Sequence, residues 1–194
     1  MAIINSLCVF CGSKTGDNPA YSAAAQLLGE EMAKRHIRLV YGGGRIGLMG
    51  IVADAVTQAG GDVIGVIPEF LEQLEVGNHS ASELIITDSM HTRKQKMFEL
   101  SDGFVSLPGG LGTLDETFEI LTWKQLRQHD KPVVMLNIEG YWNPFIALVE
   151  ANILGGFAHP AVTDLYTVAD TVESVFPALE NAPQPQDVVL TSHL

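Results

Sequence analysis

Apolar runs alternate with helical patterns along the whole chain, and this alternation constrains the fold more than any other feature. The runs predict strands near 5–10, 37–41, 62–67, 84–87, 103–107 and 133–137, with a short one near 165–168. Helical patterns lie between them, near 19–35, 47–59, 90–100, 114–129, 142–154 and 170–180. Such an order forms parallel strands joined by right-handed crossovers. Because the strands are continuously apolar, we expect a three-layer α/β sandwich with a mostly parallel central sheet.

The length and charge of the chain limit its organisation and its partners. With 194 residues, 46% of them hydrophobic, the chain predicts one domain over 1–180 and a loose C-terminal tail over 181–194. The net charge of −12 repels nucleic acid and anionic membranes, so we expect neither as a partner. An anionic ligand must therefore meet a local cluster of donors.

The N-terminus and the two cysteines point to a cytoplasmic protein. "MAIINSLCVFCGS" has no basic leader region, and no apolar run reaches the roughly 18 residues of a membrane span. Cys8 and Cys11 form a C-x-x-C inside a predicted strand, on opposite faces, with no second pair to complete a zinc site. We expect two reduced, buried thiols.

Three glycine-rich turns follow predicted strands: "CGSKTG" (11–16), "GGGRIG" (42–47) and "PGGLGT" (108–113). In an open parallel sheet such turns share one edge, where ligands bind. "GGGRIG", which includes Gly43 and Gly44, fits a dinucleotide pattern with Glu69 about 20 residues on. A simple tight turn and a close approach for a smaller nucleotide are the alternatives.

The motif "PGGLGTLDE" is the strongest indication of a ligand site in the sequence. Gly109, Gly110 and Gly112 permit close approach of an anion, and a helix starting at 114 adds its positive end. Thr113 is a natural N-cap, so a plain capping box with Glu116 is the alternative interpretation. The glycine density favours a phosphate site. Glu116 then faces a neutral or cationic part of the ligand, such as the ribose or an attacking water.

A basic cluster precedes this loop. Arg93, Lys94 and Lys96 lie in the first turns of a helix that Asp88 or Ser89 caps, where positive charge opposes the macrodipole. A solvated helix face is one interpretation, and a phosphate clamp is the other. On the later helix, apolar side chains predict its buried side: Phe118, Leu121, Trp123 and Leu126. The six histidines show no metal-ligand spacing, and there is no G-x-S-x-G.

The combination of "YGGGRIGLMG", "MHTRK" and "PGGLGTLDE" resembles the Lonely guy (LOG) family of cytokinin riboside 5'-monophosphate phosphoribohydrolases. The resemblance extends from "VFCGS" to about residue 155. It implies a Rossmann-like homodimer that cleaves the N-glycosidic bond of an adenine or N6-prenylated adenine nucleoside 5'-monophosphate, without metal or organic cofactor. It implies Arg93 and Glu116 as the catalytic pair. The substrate-binding residues it implies are Gly43, Gly44, Lys94, Gly109, Gly110, Leu111, Gly112, Thr113, Leu114, Asp115 and Thr122, with one of Glu69, Glu72 and Glu83.

The chemistry of the reaction agrees with the resemblance. Cleavage of a ribosyl bond builds positive charge that a carboxylate at Glu116 would stabilise. Arg93 cannot act as an ordinary acid at neutral pH, so we expect it to bind and to stabilise charge. A lysine decarboxylase activity, a label some relatives carry, finds no support, because no lysine has a context for a Schiff base. A non-catalytic nucleotide sensor or carrier and a dehydrogenase are the competing hypotheses.

Overall fold

The computed structural model describes residues 4–75 and 81–183. In the first half, the elements are β1 (Ser6–Phe10), α1 (Pro19–Lys34), β2 (Arg38–Tyr41), α2 (Gly47–Gln58), β3 (Val63–Pro68), α3 (Glu69–Glu75), β4 (Glu83–Thr87) and α4 (Met90–Glu99). In the second half they are β5 (Gly103–Ser106), α5 (Leu111–Gln125), β6 (Val133–Leu136), α6 (Asn143–Leu154), β7 (Thr167–Ala169) and α7 (Val172–Glu180). Every predicted strand and helix is present. Most of the expected C-terminal tail lies outside the described residues.

The seven strands form one sheet in the order β4-β3-β2-β1-β5-β6-β7, and every neighbouring pair is parallel. From β1 the chain builds outward through β4, and it then returns to place β5 on the other side of β1. The connections after β1 and β5 therefore leave in opposite directions and open a crevice at the carboxyl edge. The predicted Rossmann-like α/β sandwich is confirmed.

Two hydrophobic cores cover the two faces of the sheet. One contains Leu28 of α1, Val52 of α2 and Phe176 of α7. The other lies under α4, α5 and α6. Both cysteines are free and buried, Cys8 in the second core and Cys11 in the first, so the expectation of two reduced thiols on opposite faces is confirmed. No helix within the described ranges is long and apolar enough to cross a membrane.

Helix α5 differs from its prediction in position and in its buried face. It begins at Leu111 instead of 114. Leu121 is buried and Trp123 is half-buried, but Phe118 is 38% exposed and Leu126 is 47% exposed. The prediction was wrong for these two because α5 turns a partly polar face inward, made of Thr113, Glu116, Thr117, Ile120, Leu121 and Lys124.

Candidate active site

The three glycine-rich turns meet at the carboxyl edge of the sheet. The Gly12 N–H donates to the Pro108 carbonyl at 3.0 Å, and the Leu48 N–H donates to the Gly12 carbonyl at 3.0 Å. Between them lies a cavity of about 240 Å³, here called the catalytic cavity. Its lining residues are Val9, Cys11, Gly12, Ser13, Gly42, Met49, Leu71, Met90, Arg93, Gly110, Leu111, Gly112, Thr113 and Glu116.

The glycine loop delivers unpaired amides to this cavity. Gly110 is the N-cap of α5, and it has no side chain with which to cap the helix. The Leu114 N–H donates the first hydrogen bond of the helix, to the Gly110 carbonyl at 3.1 Å. In the described part of the chain, the N–H groups of Leu111, Gly112 and Thr113 meet no acceptor. Free amides at a helix N-terminus bind anions, and here they line a cavity.

This geometry corrects the expected capping box. Thr113 is the third residue of α5 and is 3% exposed, so it does not cap the helix. Glu116 does not reach back toward Thr113, because its carboxylate is bound to Arg93. Thr113 instead supports the loop: its carbonyl accepts from the Thr117 hydroxyl at 2.7 Å, and that hydroxyl lies 2.8 Å from the Ser106 hydroxyl at the end of β5.

Helix α4 directs Arg93 into the cavity. Ser89 caps this helix, and its side chain accepts from the Thr92 N–H in a capping box, so of the two expected caps Ser89 is confirmed. The Arg93 Nε donates to the Val66 carbonyl at 3.0 Å, and its Nη1 donates to Glu116 Oε1 at 2.7 Å. Arg93 is only 6% exposed and Glu116 only 7%. The predicted catalytic residues thus form a buried ion pair in the wall of the cavity.

A glycine makes room for this pair. A Cβ on Gly42 would overlap the Arg93 guanidinium and contact the Met49 sulfur. The predicted binding residues Gly43 and Gly44 follow Gly42, but neither lines the cavity. Gly43 has a φ of +77° and packs against Ile67. The turn therefore contributes to the site through Gly42, which lines the cavity and leaves space for Arg93.

Burial sets the protonation behaviour of the cavity wall. It raises the pKa of Glu116 above its ordinary value, although the neighbouring Arg93 charge acts in the opposite direction. Burial also raises the pKa of the Cys11 thiol well above its usual range, and the nearby Glu116 carboxylate adds to this effect. Cys11 is therefore protonated at neutral pH.

Lys94 points away from the cavity and bridges two helices. Its Nζ lies 3.0 Å from Asp115 Oδ2 and 3.0 Å from Glu119 Oε2, and its side chain is 10% exposed. The solvated-face interpretation of the basic cluster is thus wrong for Arg93 and Lys94. It holds for Lys96, whose side chain is 42% exposed and lies 3.8 Å from Glu99.

Several residues implied by the resemblance lie elsewhere. Thr122 is exposed, donates to the Phe118 carbonyl at 2.7 Å, and borders a separate groove of about 180 Å³. Among the residues that the structure describes, Glu69, Glu72 and Glu83 do not line the catalytic cavity, nor do Lys94, Gly109, Leu114 and Asp115. Within the described part of that segment, Leu71 of α3 lines the cavity.

Sequence reasoning missed part of the cavity wall, namely Cys11, Ser13, Met49, Leu71 and Met90. Cys11 and Ser13 belong to the turn after β1, which the shared-edge rule already placed beside the phosphate loop. The sequence did not predict Met49, Leu71 and Met90 as site residues, because apolar residues of these types occur just as often in a hydrophobic core. No group of three or more potential metal ligands occurs among residues 4–75 and 81–183.

Comparisons with known proteins identify the family of this chain. The family model described as "Possible lysine decarboxylase" matches residues 49–179. The probable cytokinin riboside 5'-monophosphate phosphoribohydrolase LOGL2 of Oryza sativa subsp. japonica is 44% identical over 184 residues, which cover 94% of this chain and 75% of that protein. The cytokinin riboside 5'-monophosphate phosphoribohydrolase LOG5 of Arabidopsis thaliana is 42% identical over 184 residues, covering 95% and 81%.

Solved structures share the fold. The Moco carrier protein of Chlamydomonas reinhardtii superimposes with a TM-score of 0.68 at 23% identity, covering 91% of this chain and 96% of that one. The X-ray structure of TM1055 gives a TM-score of 0.70 at 26% identity, covering 91% and 98%. The sequence relatives above share far more identity than these structures do. By those relatives, the chain belongs to the LOG family of cytokinin riboside 5'-monophosphate phosphoribohydrolases.

Proposed function

We propose that this protein hydrolyses the N-glycosidic bond of adenosine 5'-monophosphate or its N6-prenylated form, releasing the free base and ribose 5-phosphate. One observation carries the proposal. The buried Arg93–Glu116 pair and the free first-turn amides of α5 line the same cavity. A nucleoside monophosphate has both features that such a cavity can hold, an anionic phosphate and, next to it, a ribose.

The phosphate is assigned to the N-terminus of α5. The N–H groups of Leu111, Gly112 and Thr113 supply donors, and the helix dipole adds positive potential in a chain of net charge −12. Gly110 has open space where a Cβ would lie, so the backbone is accessible to a ligand there. A carboxylate repels a phosphate, so Glu116 is assigned to the ribose.

The reaction consumes one water. As the bond between the ribose C1′ and the purine nitrogen breaks, its electrons pass to the purine, which takes up a proton. The water oxygen bonds to C1′ and loses a proton. The Glu116 carboxylate is placed to stabilise the positive charge that builds on the sugar and to accept that proton. The scheme requires no metal or organic cofactor.

Arg93 has a supporting role in this scheme. Because it cannot lose its proton at neutral pH, it does not act as an acid. Its bond to the Val66 carbonyl fixes the guanidinium, and its charge opposes the effect of burial on the pKa of Glu116. It therefore keeps the carboxylate ionised and oriented.

We also propose that the protein is a homodimer. The side chains of Phe118, Leu148, Leu154 and Phe157 are exposed, Leu154 to 89%. Two adjoining grooves that share Phe118 and Phe145 form one continuous apolar surface along α5 and α6. Contiguous exposed apolar surface of this kind supports protein–protein contact. Light scattering checks the state, and Phe157→Glu should favour a monomer.

A cytoplasmic location is the accompanying proposal. It is supported by Cys8 and Cys11, which are both free. Unpaired thiols are usual in reducing compartments. Subcellular fractionation of the producing organism tests it, and recovery of the protein outside the cytoplasm would contradict it.

The activity is tested with purified protein, without added metal, and with AMP and isopentenyladenosine 5'-monophosphate as substrates. Free base and ribose 5-phosphate are quantified. Glu116→Gln keeps an oxygen that accepts from Arg93, so it should fold and lose about 10²–10⁴-fold in rate. The matched control is Glu119→Gln, a carboxylate of the same helix outside the cavity. Tight nucleotide binding with no release of base would instead indicate a nucleotide sensor or carrier.

A further inference from the structure

Two buried hydroxyl groups lie behind the first turn of α5, at the point where β5 ends. They belong to Ser106, the last residue of β5, and to Thr117, which follows Glu116, and both residues are 0% exposed. The two hydroxyl oxygens are 2.8 Å apart, and the Thr117 hydroxyl donates to the Thr113 carbonyl at 2.7 Å. Neither Ser106 nor Thr117 lines the catalytic cavity, so neither takes a direct part in the proposed reaction.

The direction of these hydrogen bonds is fixed. A carbonyl only accepts, so the single hydroxyl proton of Thr117 is committed to Thr113. Ser106 must therefore donate to Thr117. The series continues through the backbone, because the Thr113 carbonyl and the Leu114 N–H belong to one peptide group. That N–H donates to the Gly110 carbonyl at 3.1 Å.

The Gly110 carbonyl shares the next peptide group with the Leu111 N–H, which is one of the free amides in the wall of the catalytic cavity. We call the whole series, from the Ser106 hydroxyl to the Leu111 N–H, the hydroxyl relay. Every donor in it points the same way. Hydrogen bonds aligned in this manner polarise one another, by roughly 10–30% per bond. The relay therefore makes the Leu111 N–H a stronger donor than an isolated amide.

The relay is anchored on rigid parts of the fold. The indole Nε1 of Trp142, which is 1% exposed, donates to the Ser106 carbonyl at 3.1 Å. Near the cavity, Thr113 packs so closely against the glycine loop that a Cβ on Gly109 would overlap its hydroxyl oxygen. Buried hydrogen bonds thus tie the orientation of the α5 amides to the end of β5.

We propose that Ser106 and Thr117 are positioning residues, which orient and polarise the Leu111 amide for the phosphate of the substrate. The inference rests on the proposed function, because that function assigns the phosphate to the α5 amides. The relay acts on the binding of the phosphate and not on the bond that breaks. Its loss should therefore raise KM for AMP and leave kcat nearly unchanged.

The test is an NMR titration of the whole protein, isotope-labelled at leucine, with inorganic phosphate. The Leu111 amide signal is assigned by its loss in Leu111→Met, and phosphate should move it downfield in the wild type. Thr117→Val keeps the shape of the side chain but loses the hydroxyl. Phosphate affinity should fall by about two- to tenfold in this variant, the range for one neutral hydrogen bond, and the downfield shift should shrink. Ser106→Ala should act in the same direction but less, because the bond from Thr117 to Thr113 remains. Thr117→Ser keeps the hydroxyl and should behave like the wild type.

Ser101→Ala is the matched control. The Ser101 hydroxyl is also buried and donates to a carbonyl four residues earlier, that of Met97 at 2.8 Å, but it precedes β5 at the opposite edge of the sheet. Equal phosphate affinity in the wild type, Thr117→Val and Ser106→Ala would overturn the inference. So would an equal weakening in Ser101→Ala or in Thr117→Ser, because stability or packing would then be the cause.

The kinetics of base release from AMP are measured on the same preparations, after urea denaturation has shown that each variant is folded. A fall in kcat at unchanged KM would overturn the inference, as would a Leu111 signal that does not respond to phosphate in an active hydrolase. Phosphate affinity that depends on the relay, in a protein that releases no base, supports the relay and rejects the hydrolase. The two proposals therefore fail separately.

Discussion

Replacing Arg93 by methionine should destabilise the protein in a way that depends on pH. The substitution removes the cation that faces Glu116 and leaves the carboxylate 7% exposed and unpaired. Breaking a buried ion pair by removing one partner costs about 3–5 kcal/mol. The Val66 carbonyl also loses its donor. We therefore expect Arg93→Met to lower the free energy of unfolding by about 3–5 kcal/mol at neutral pH.

The sign of the pH dependence follows from the pKa of Glu116. Burial raises this pKa and Arg93 opposes the rise, so removing Arg93 raises it further. A carboxyl group whose folded-state pKa lies above its unfolded value destabilises the fold once it must ionise. Stability of the variant should therefore fall as pH rises from the unfolded value, about 4.3, through the folded-state pKa. The deficit against wild type should be smaller near pH 5 than near pH 8.

Urea denaturation at both pH values measures this deficit for the wild type, Arg93→Met and Arg93→Met/Glu116→Gln. The double variant replaces the buried charge with a neutral amide, so it should recover part of the lost stability at the higher pH. A deficit that is the same at both pH values would refute the reasoning. So would a double variant no more stable than Arg93→Met alone, because the cost would then come from packing and not from charge.

Three further predictions concern the site and the two helices that carry its ion pair. Because base catalysis needs an ionised Glu116 and burial raises its pKa, kcat/KM for AMP should decline on acidification with a midpoint above about 4.3, and a lower midpoint contradicts this. Gly42→Ala places a Cβ on the Arg93 guanidinium, so kcat/KM should fall by up to about 100-fold in a folded protein, and unchanged kinetics would show that Arg93 need not hold its position. Lys94→Gln removes the ion pairs that link α4 to Asp115 and Glu119 of α5. The Tm should therefore drop by about 2–4 °C, the equivalent of about 1 kcal/mol. Lys96→Gln is the exposed control, and an equal drop there would mean that the bridge contributes nothing.

The sequence alone determined the layers of the fold and the edge that carries the site. Continuous apolar runs separated by helical patterns allow few arrangements other than a covered parallel sheet, and in such a sheet the turns that follow the strands meet at one edge. The glycine-rich turns at 42–47 and 108–113 were therefore expected to lie together before any contact was known. Arg93 and Glu116 came from motifs and from the family resemblance, and the structure places both in one cavity.

Other features of the site could not be read from local patterns. Thr113 matched the preferred N-cap, yet Gly110 caps α5 with an extended backbone and leaves the first amides free. Phe118 and Leu126 matched an inward face, yet they are exposed because α5 buries Glu116 and Lys124. A helical period shows that a helix has distinct faces, but packing decides which of them turns inward.

Only the tertiary structure decided which side chains face one another. Arg93 and Lys94 are neighbours in sequence, yet one points into the cavity to Glu116 and the other away from it to Asp115 and Glu119. Adjacent residues on a helix project about 100° apart, so their partners depend on which helix packs on each side. Spacing along the chain fixes where an element begins and what chemistry it carries. The three-dimensional packing of α4 against α5 and of Gly42 against the guanidinium fixes what that chemistry meets.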